Sequence, residues 1–304
     1  MTPSERTAVT EAPATPSAES LNAFSVDVED GISLAMRDRF GKQIPQTKRV
    51  VTLTRKLLEL LARHDTRATF FVLGQVGVAF PELVRDIQAA GHEIGVHGHD
   101  HHVYHKLTRQ QARDELYRAK SVLEDLTGNR ICGHRAPSFS INQSTAWVLD
   151  LLLDLGFEYD SSIMPCRGFG YGWPGQRLDI GPVDTPNGRR ILEIPLSVTN
   201  IAGREVPALG GSYFRLLPLG VSRWLFERIQ AQRPVIMYLH PYELDPEPYP
   251  DFYMAELARA SLKTRLRMRS FWLRRKSLYQ RYDRLLSEFR FMPIKELIEG
   301  SVGG

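Results

Sequence analysis

The 304-residue chain has little cysteine, only Cys132 and Cys166, and no C-x-x-C pair. That excludes a cysteine zinc site and leaves two reduced thiols without chemistry. No stretch stays apolar for about eighteen residues, so no membrane span is expected. Residues 1–20 lack the basic start and apolar core of a secretory signal; rich in Thr, Ala, Pro, Ser and Glu, they read as a disordered leader. With no signal and no span, a cytoplasmic protein is the expectation. Charge of one sign is not in great excess: 39 Lys and Arg stand against 35 Asp and Glu, a net +4. This mildly basic balance fits an acidic polymer, a membrane surface or nucleic acid and decides between none of them. There is no internal repeat. What remains is an ordinary globular composition, long enough for one large domain or two small ones around a proper core.

Short apolar runs alternate with amphipathic stretches. Strands are expected at 21–28, 68–73, 92–96, 131–133, 157–160 and 234–239. Helices are expected at 48–64, from Pro81 to Gly91, from the Thr108 cap to Gly128, and over 142–155. Strands alternating with helices indicate an α/β fold with a parallel sheet, wound open or closed as a barrel. Residues 161–230 are rich in Gly and Pro and read as long loops that shape a substrate site. Residues 256–284 are helix-prone and basic, with Phe271, Trp272, Leu273, Leu278 and Tyr279 among the charges.

Four polar clusters fall at the ends of predicted strands, the edge where parallel α/β folds bind ligands. The first is Asp27-Val28-Glu29-Asp30. Three carboxylates so close raise one another's pKa unless a cation neutralises them, and strand alternation puts Asp27 and Glu29 on one side. The second holds four histidines in six residues. A helical turn there would place His97 and His101 on one face, and neutral imidazole is the commonest ligand for a divalent transition metal. The third is His134-Arg135-Ala136-Pro137, whose guanidinium can hold a carboxylate by two parallel hydrogen bonds. The fourth is an apolar strand that delivers His240. Each cluster alone has a plain structural reading; their shared edge argues for chemistry.

The order of acidic cluster, H-x-x-x-H, R-x-P and strand-Leu-His resembles the polysaccharide deacetylase (NodB-like) family, carbohydrate esterase family 4, over residues 21–240. The wording V-D-V-E-D, E-I-G-x-H-G-x-x-H, G-x-R-A-P-S-F-S and Y-L-H-P-Y-E-L-D further resembles the branch found in exopolysaccharide (PEP-CTERM/exosortase-type) gene clusters, which carries a C-terminal extension. The resemblance implies a distorted (β/α)7-type barrel, with a deacetylase domain at 21–244 and a basic helical extension at 245–304 packed on it. It also implies a metal-dependent N-deacetylase acting on N-acetylhexosamine units of an exopolysaccharide or cell-surface glycan.

His97 and His101 match the family's histidine ligands for a divalent metal, zinc first, with cobalt or nickel as replacements. The acidic motif departs from the usual Asp-Asp-Gly. An ungapped match makes Glu29 the base and Asp30 the ligand; a spaced Asp-x-Asp match makes Asp27 the base and Glu29 the ligand. Asp27 is preferred as base for its same-side placement, and Asp30 as ligand for its position beside Gly31, with the trio treated as a set. Arg135 matches the arginine that orients the base, and His240 the general acid. No aspartate to pair with His240 is evident, and Asp160 is expected to help build the site.

The expected partner is an N-acetylated polysaccharide or oligosaccharide, not nucleic acid. Residues 255–285 read either as a peripheral membrane contact or as a solvated helix on the barrel. Two competing functions are an allantoinase-like amidohydrolase acting on a small cyclic amide and a non-catalytic glycan-binding protein.

Overall fold

Alternating strands and helices in the N-terminal half build one face-to-edge α/β layer in the computed structural model, which describes residues 22–168 and 171–302. The expected disordered leader, residues 1–20, lies outside the described residues. In chain order the elements are β1 (Asn22–Val28), α1 (Gly31–Phe40), α2 (Arg49–Arg63), β2 (Thr69–Val72), α3 (Gly74–Ala79), α4 (Pro81–Ala89), β3 (Glu93–Val96), α5 (Arg109–Thr127), β4 (Gly133–His134), α6 (Trp147–Asp154) and β5 (Tyr159–Asp160). There follow β6 (Gly181–Asp184), β7 (Arg190–Glu193), β8 (Val198–Ile201), β9 (Arg204–Pro207), α7 (Gly211–Leu216), α8 (Leu219–Gln230) and β10 (Ile236–Leu239). The chain closes with α9 (Asp251–Arg259), α10 (Leu262–Ser270), α11 (Arg275–Glu288), β11 (Phe291–Met292) and α12 (Ile294–Val302).

The main sheet runs in the order β10-β1-β2-β3-β4-β5-β7-β6, parallel as far as β7, with β6 antiparallel at the edge. Seven parallel strands curl into an open, distorted barrel. Every residue of β1, β2 and β10 is buried, as expected for parallel strands covered on both faces. Strand register places Asp27 opposite Phe71, and Val96 opposite His134, so the catalytic-type residues emerge at one C-terminal edge.

Two expectations change. Residues 161–230 are not simply loops: β6 with β7, and β8 with β9, form antiparallel pairs, and α7 and α8 follow. Their strands are only four residues long and each carries exposed positions, too short to produce an apolar run. The helix expected from Asn142 starts at Trp147, because 142–146 form turns in which Asn142 Oδ1 accepts from Ser144 N and Thr145 Oγ1 accepts from Asn142 N.

The segment from α11 through β11 is built into the sheet layer. β11 pairs with β1, and Phe24 of β1 packs edge-on against Tyr282 and Phe291 at ring distances of 5.9 and 5.4 Å. Leu278, Tyr282, Leu285 and Leu286 of α11 belong to the main core.

Candidate active site

The three acids of the first motif part ways at the end of β1. Asp27 is still in the strand, and Oδ1 accepts from Arg135 Nη1 at 2.9 Å. Glu29, two residues on, points to the same side, as the pleat requires. Its Oε2 lies 2.8 Å from His101 Nε2 and 3.6 Å from His97 Nε2. Asp30 turns away: it is the N-cap of α1, with Oδ1 accepting from Ile32 N at 3.0 Å and Oδ2 from Thr47 N. Both carboxylate oxygens are taken by backbone donors remote from the histidines, so Asp30 is not brought to them and Glu29 takes its place. Burial raises the Asp30 pKa, against the lowering effect of these bonds.

The histidine loop converges by a route other than a helical turn. Gly98 and His101 both sit in the left-handed region, at φ +78° and +57°. For His101 that is an uncommon conformation, held by its surroundings. Glu115 of α5 supplies much of the hold. Its Oε2 accepts from His99 N at 3.0 Å and Asp100 N at 2.9 Å, and its Oε1 lies 2.6 Å from His102 Nδ1. Arg37 of α1 donates to the Asp100 and His101 carbonyls from the other side. His97 Nδ1 lies 2.9 Å from the Arg135 carbonyl, which assigns the N–H to Nδ1 and frees Nε2 as a lone-pair donor. His99 is buried against Gly74, and His102 belongs to the clamp, so only two of the four histidines enter the site.

The residues present fit a divalent metal. One ligand atom each from Glu29, His97 and His101 lie within 4.8 Å of one another, and all three side chains are buried. Glu29 Oε2 has no hydrogen-bond partner of acceptable geometry despite its nearness to His101 Nε2. A buried, orphaned carboxylate oxygen facing two imidazole Nε2 atoms is costly without a cation, and one carboxylate with two imidazoles is a zinc-type donor set. Burial raises the Glu29 pKa, but His101 and His240 beside it hold it well below the usual carboxylate range.

Arg135 is fully buried. Its Nη1 donates to Ser25 Oγ and Asp27, its Nε to the Ser161 carbonyl and its Nη2 to Ser161 Oγ, while the plane lies 4.3 Å from the Phe71 ring centre. The expected pair of parallel bonds to a carboxylate is thus a single bond, the other donors going to β5 and its following turn. Asp160 accepts from His134 Nδ1 and Ser162 Oγ, both at 2.6 Å, and so builds the wall behind Arg135.

His240 ends β10. Its Nε2 lies 3.8 Å from Asp27 Oδ2 and 3.7 Å from Glu29 Oε1. Its Nδ1 lies 2.8 Å from Glu243 Oε1. Glu243 is the partner that sequence reasoning missed; a carboxylate three residues after a strand-ending His, across a Pro, was the available signal. Burial alone would lower the His240 pKa, but Glu29, Glu243 and Asp27 outweigh it and raise it to about 9. Glu243 is itself buried, with Arg215 Nε 3.5 Å from its Oε2. Arg215 Nη1 donates to the Phe271 and Leu273 carbonyls, tying the C-terminal region to this site.

These groups line one cleft of about 330 Å³, walled by Tyr171, Tyr213, Tyr238, Tyr242 and Phe271. A few charged groups amid aromatic faces suit a ligand with both a flat apolar face and polar edges. Ser138 and Phe139, at the same rim, have positive φ of 52° and 51°.

Residues 44–159 match the family model for polysaccharide deacetylase, and residues 161–299 match one described as a domain of unknown function, DUF3473. The two matches meet at residue 160. Over 109 residues the chain is 36% identical to the peptidoglycan deacetylase of Helicobacter pylori, covering 36% of each. Over 126 residues it is 35% identical to the peptidoglycan-N-acetylglucosamine deacetylase of Bacillus cereus, covering 41% of this chain and 43% of that one. The chain thus spans less than half the length of these curated relatives. A crystal structure of a Mycobacterium smegmatis protein assigned as a polysaccharide deacetylase superposes with a TM-score of 0.61 at 20% identity, covering 95% of this chain and 93% of that one, which shows a shared fold.

Proposed function

We propose that this chain, whose residues 44–159 match the polysaccharide deacetylase model, is a metal-dependent hydrolase removing acetyl groups from N-acetylhexosamine units of a bacterial exopolysaccharide or cell-surface glycan. One observation carries the reading: Glu29, His97 and His101 converge in the cleft that also holds Asp27 on Arg135 and His240 on Glu243. The relatives named as peptidoglycan deacetylases support an N-acetylated glycan as the substrate class.

Glu29, His97 and His101 would hold the ion, zinc by preference, with cobalt or nickel as substitutes. Bound there, it supplies a Lewis acid for the acetyl carbonyl and brings the pKa of water down towards about 7. The remaining steps belong to the protein. Asp27, oriented by Arg135, accepts the proton of the attacking water. His240, held protonated near neutral pH by its carboxylate neighbours, faces Asp27 across less than the width of a substrate group and gives its proton to the departing amine. Such positioned proton transfers each contribute roughly 10²–10⁴-fold. The tyrosines and Phe271 of the wall orient the sugar ring.

The test is acetate release from N-acetylglucosamine oligomers by the purified chain, with bound metal measured in parallel, before and after chelation. Release that stops on chelation and returns with zinc is expected. A metal-loaded protein that releases no acetate but retains the oligomer on an affinity column would replace the enzyme with a glycan-binding protein.

A further inference from the structure

Across residues 257–282 the chain carries nine Lys or Arg residues and no carboxylate. The flanking acids have partners: Glu256 pairs with Lys42 and with Arg259, one of the nine, and Asp283 pairs with Arg63 and His64 outside the stretch. Two of the nine cations serve the fold. Arg275 and Arg281 are buried, donating to the Phe271, Arg215 and Leu217 carbonyls and to Tyr249 OH. Lys263, Arg265, Arg267 and Arg269 of α10, with Arg274 and Lys276 after it, are exposed.

α10 presents more than charge. Among its described side chains only Met268 is buried, whereas Leu262 is 63% and Leu266 56% exposed. Four residues apart, these leucines share a face, between cations on either side. Leu273, just past the helix, is 55% exposed. A single exposed leucine needs no account. Three within a dozen residues, set among exposed cations in a stretch that carries no carboxylate, give α10 and the turn after it both elements of an interfacial surface. Its apolar side chains enter the headgroup–acyl boundary, and its cations meet anionic headgroups.

We infer that α10 and the turn through Leu273 form a docking surface for an anionic lipid bilayer. A soluble polyanion would satisfy the arginines and give the leucines nothing; a bilayer satisfies both. The surface is continuous with the cleft, since Phe271 lines the cleft and Arg215 fixes the Phe271 and Leu273 carbonyls. No helix among the described residues is long and apolar enough to cross a membrane, so docking is peripheral. The inference stands apart from the proposed reaction, because vesicle binding requires neither metal nor turnover.

The experiment is co-sedimentation of the full chain with vesicles of phosphatidylglycerol and phosphatidylcholine, against vesicles of phosphatidylcholine alone. Binding to the first, release by raised salt and little binding to the second are expected. L262S/L266S changes exposed side chains only and keeps every cation; it should weaken partitioning tenfold or more with an unchanged thermal midpoint. Failure to bind anionic vesicles overturns the inference. So does full binding by L262S/L266S; if soluble polygalacturonate then competes, the surface is a grip for acidic polymers instead.

Discussion

Glu243 Oε1 sits 2.8 Å from His240 Nδ1, and this contact separates the two ends of the imidazole: one faces a fixed carboxylate, the other faces the cleft. Burial works against the imidazolium, but Glu29, Glu243 and Asp27 together hold its pKa at about 9. Glu29 also belongs to the metal-ligand set, so a bound cation would offset its share, while Glu243 would keep its own. In E243Q the pKa falls, and the acid form is lost at lower pH. The alkaline limb of kcat/KM should move acidward, with turnover near pH 9 down roughly tenfold for about one unit. A pH–rate profile checks this, and an unmoved limb removes Glu243 from the tuning. The sign for stability follows: the folded pKa is above the unfolded value of 6.5, so the contribution is complete below that pH and lost as pH rises through about 9.

Glu29 and Asp30 are neighbours with separable jobs. E29Q should lose more metal affinity than the roughly ten- to hundredfold that an outer partner is worth, and with it activity, because the carboxylate facing two imidazoles becomes a neutral amide. D30A should keep its metal stoichiometry. It removes the α1 cap, at a cost of about 1 kcal/mol, which for a chain of this size lowers Tm by roughly 2–4 °C. Metal analysis beside a thermal melt distinguishes them; a D30A protein that folds but binds no metal would return Asp30 to the ligand set.

That pair also shows what could be read in advance. The C-terminal edge, the histidine pair, Arg135 and His240 were legible, because strand ends and residue chemistry are local properties. The same-side placement of Asp27 and Glu29 followed from the pleat alone. Asp30 was not legible, because α1 was not: only Ile32, Ser33, Leu34 and Met36 are buried there, with no clear apolar period. Without the helix there was no reason to see an N-cap in D-G-I-S. Glu243 left a local signal, its place three residues after His240, that went unread. Glu115 left none, because its partners are fixed by the packing of α5 on the histidine loop, which residue spacing does not encode.

Glu115 reaches no reacting atom, yet it holds three points of the histidine loop: the His99 and Asp100 amides between His97 and His101, and the His102 ring just after them. It is therefore a positioning residue. In E115A those amides lose their acceptor and the left-handed His101 loses its support. Metal affinity should fall roughly ten- to a hundredfold while Asp27 and His240 stay in place. The decisive readout is rescue: excess zinc should restore kcat in E115A and not in His240→Ala. If E115A binds zinc as wild type does, the clamp is not what sets the loop.

Arg215 joins the cleft to the C-terminal region, and its two functions can be tested apart. Its guanidinium faces the buried Glu243 carboxylate on one side and the Phe271 and Leu273 carbonyls on the other. Arg215→Met leaves Glu243 buried without that cation, and breaking a buried pair in this way costs about 3–5 kcal/mol. Arg215→Lys retains a charge near Glu243 but has one nitrogen where Arg215 uses two, Nε towards Glu243 and Nη1 to both carbonyls. The lysine variant should therefore keep most of its stability and loosen the turn that carries Phe271. KM for an oligosaccharide should rise several-fold with kcat less affected, and amide exchange should quicken at 271–274. Equal losses of stability in both variants, with KM unchanged in Arg215→Lys, would make Arg215 a counter-ion for Glu243 alone and free the cleft wall from its control.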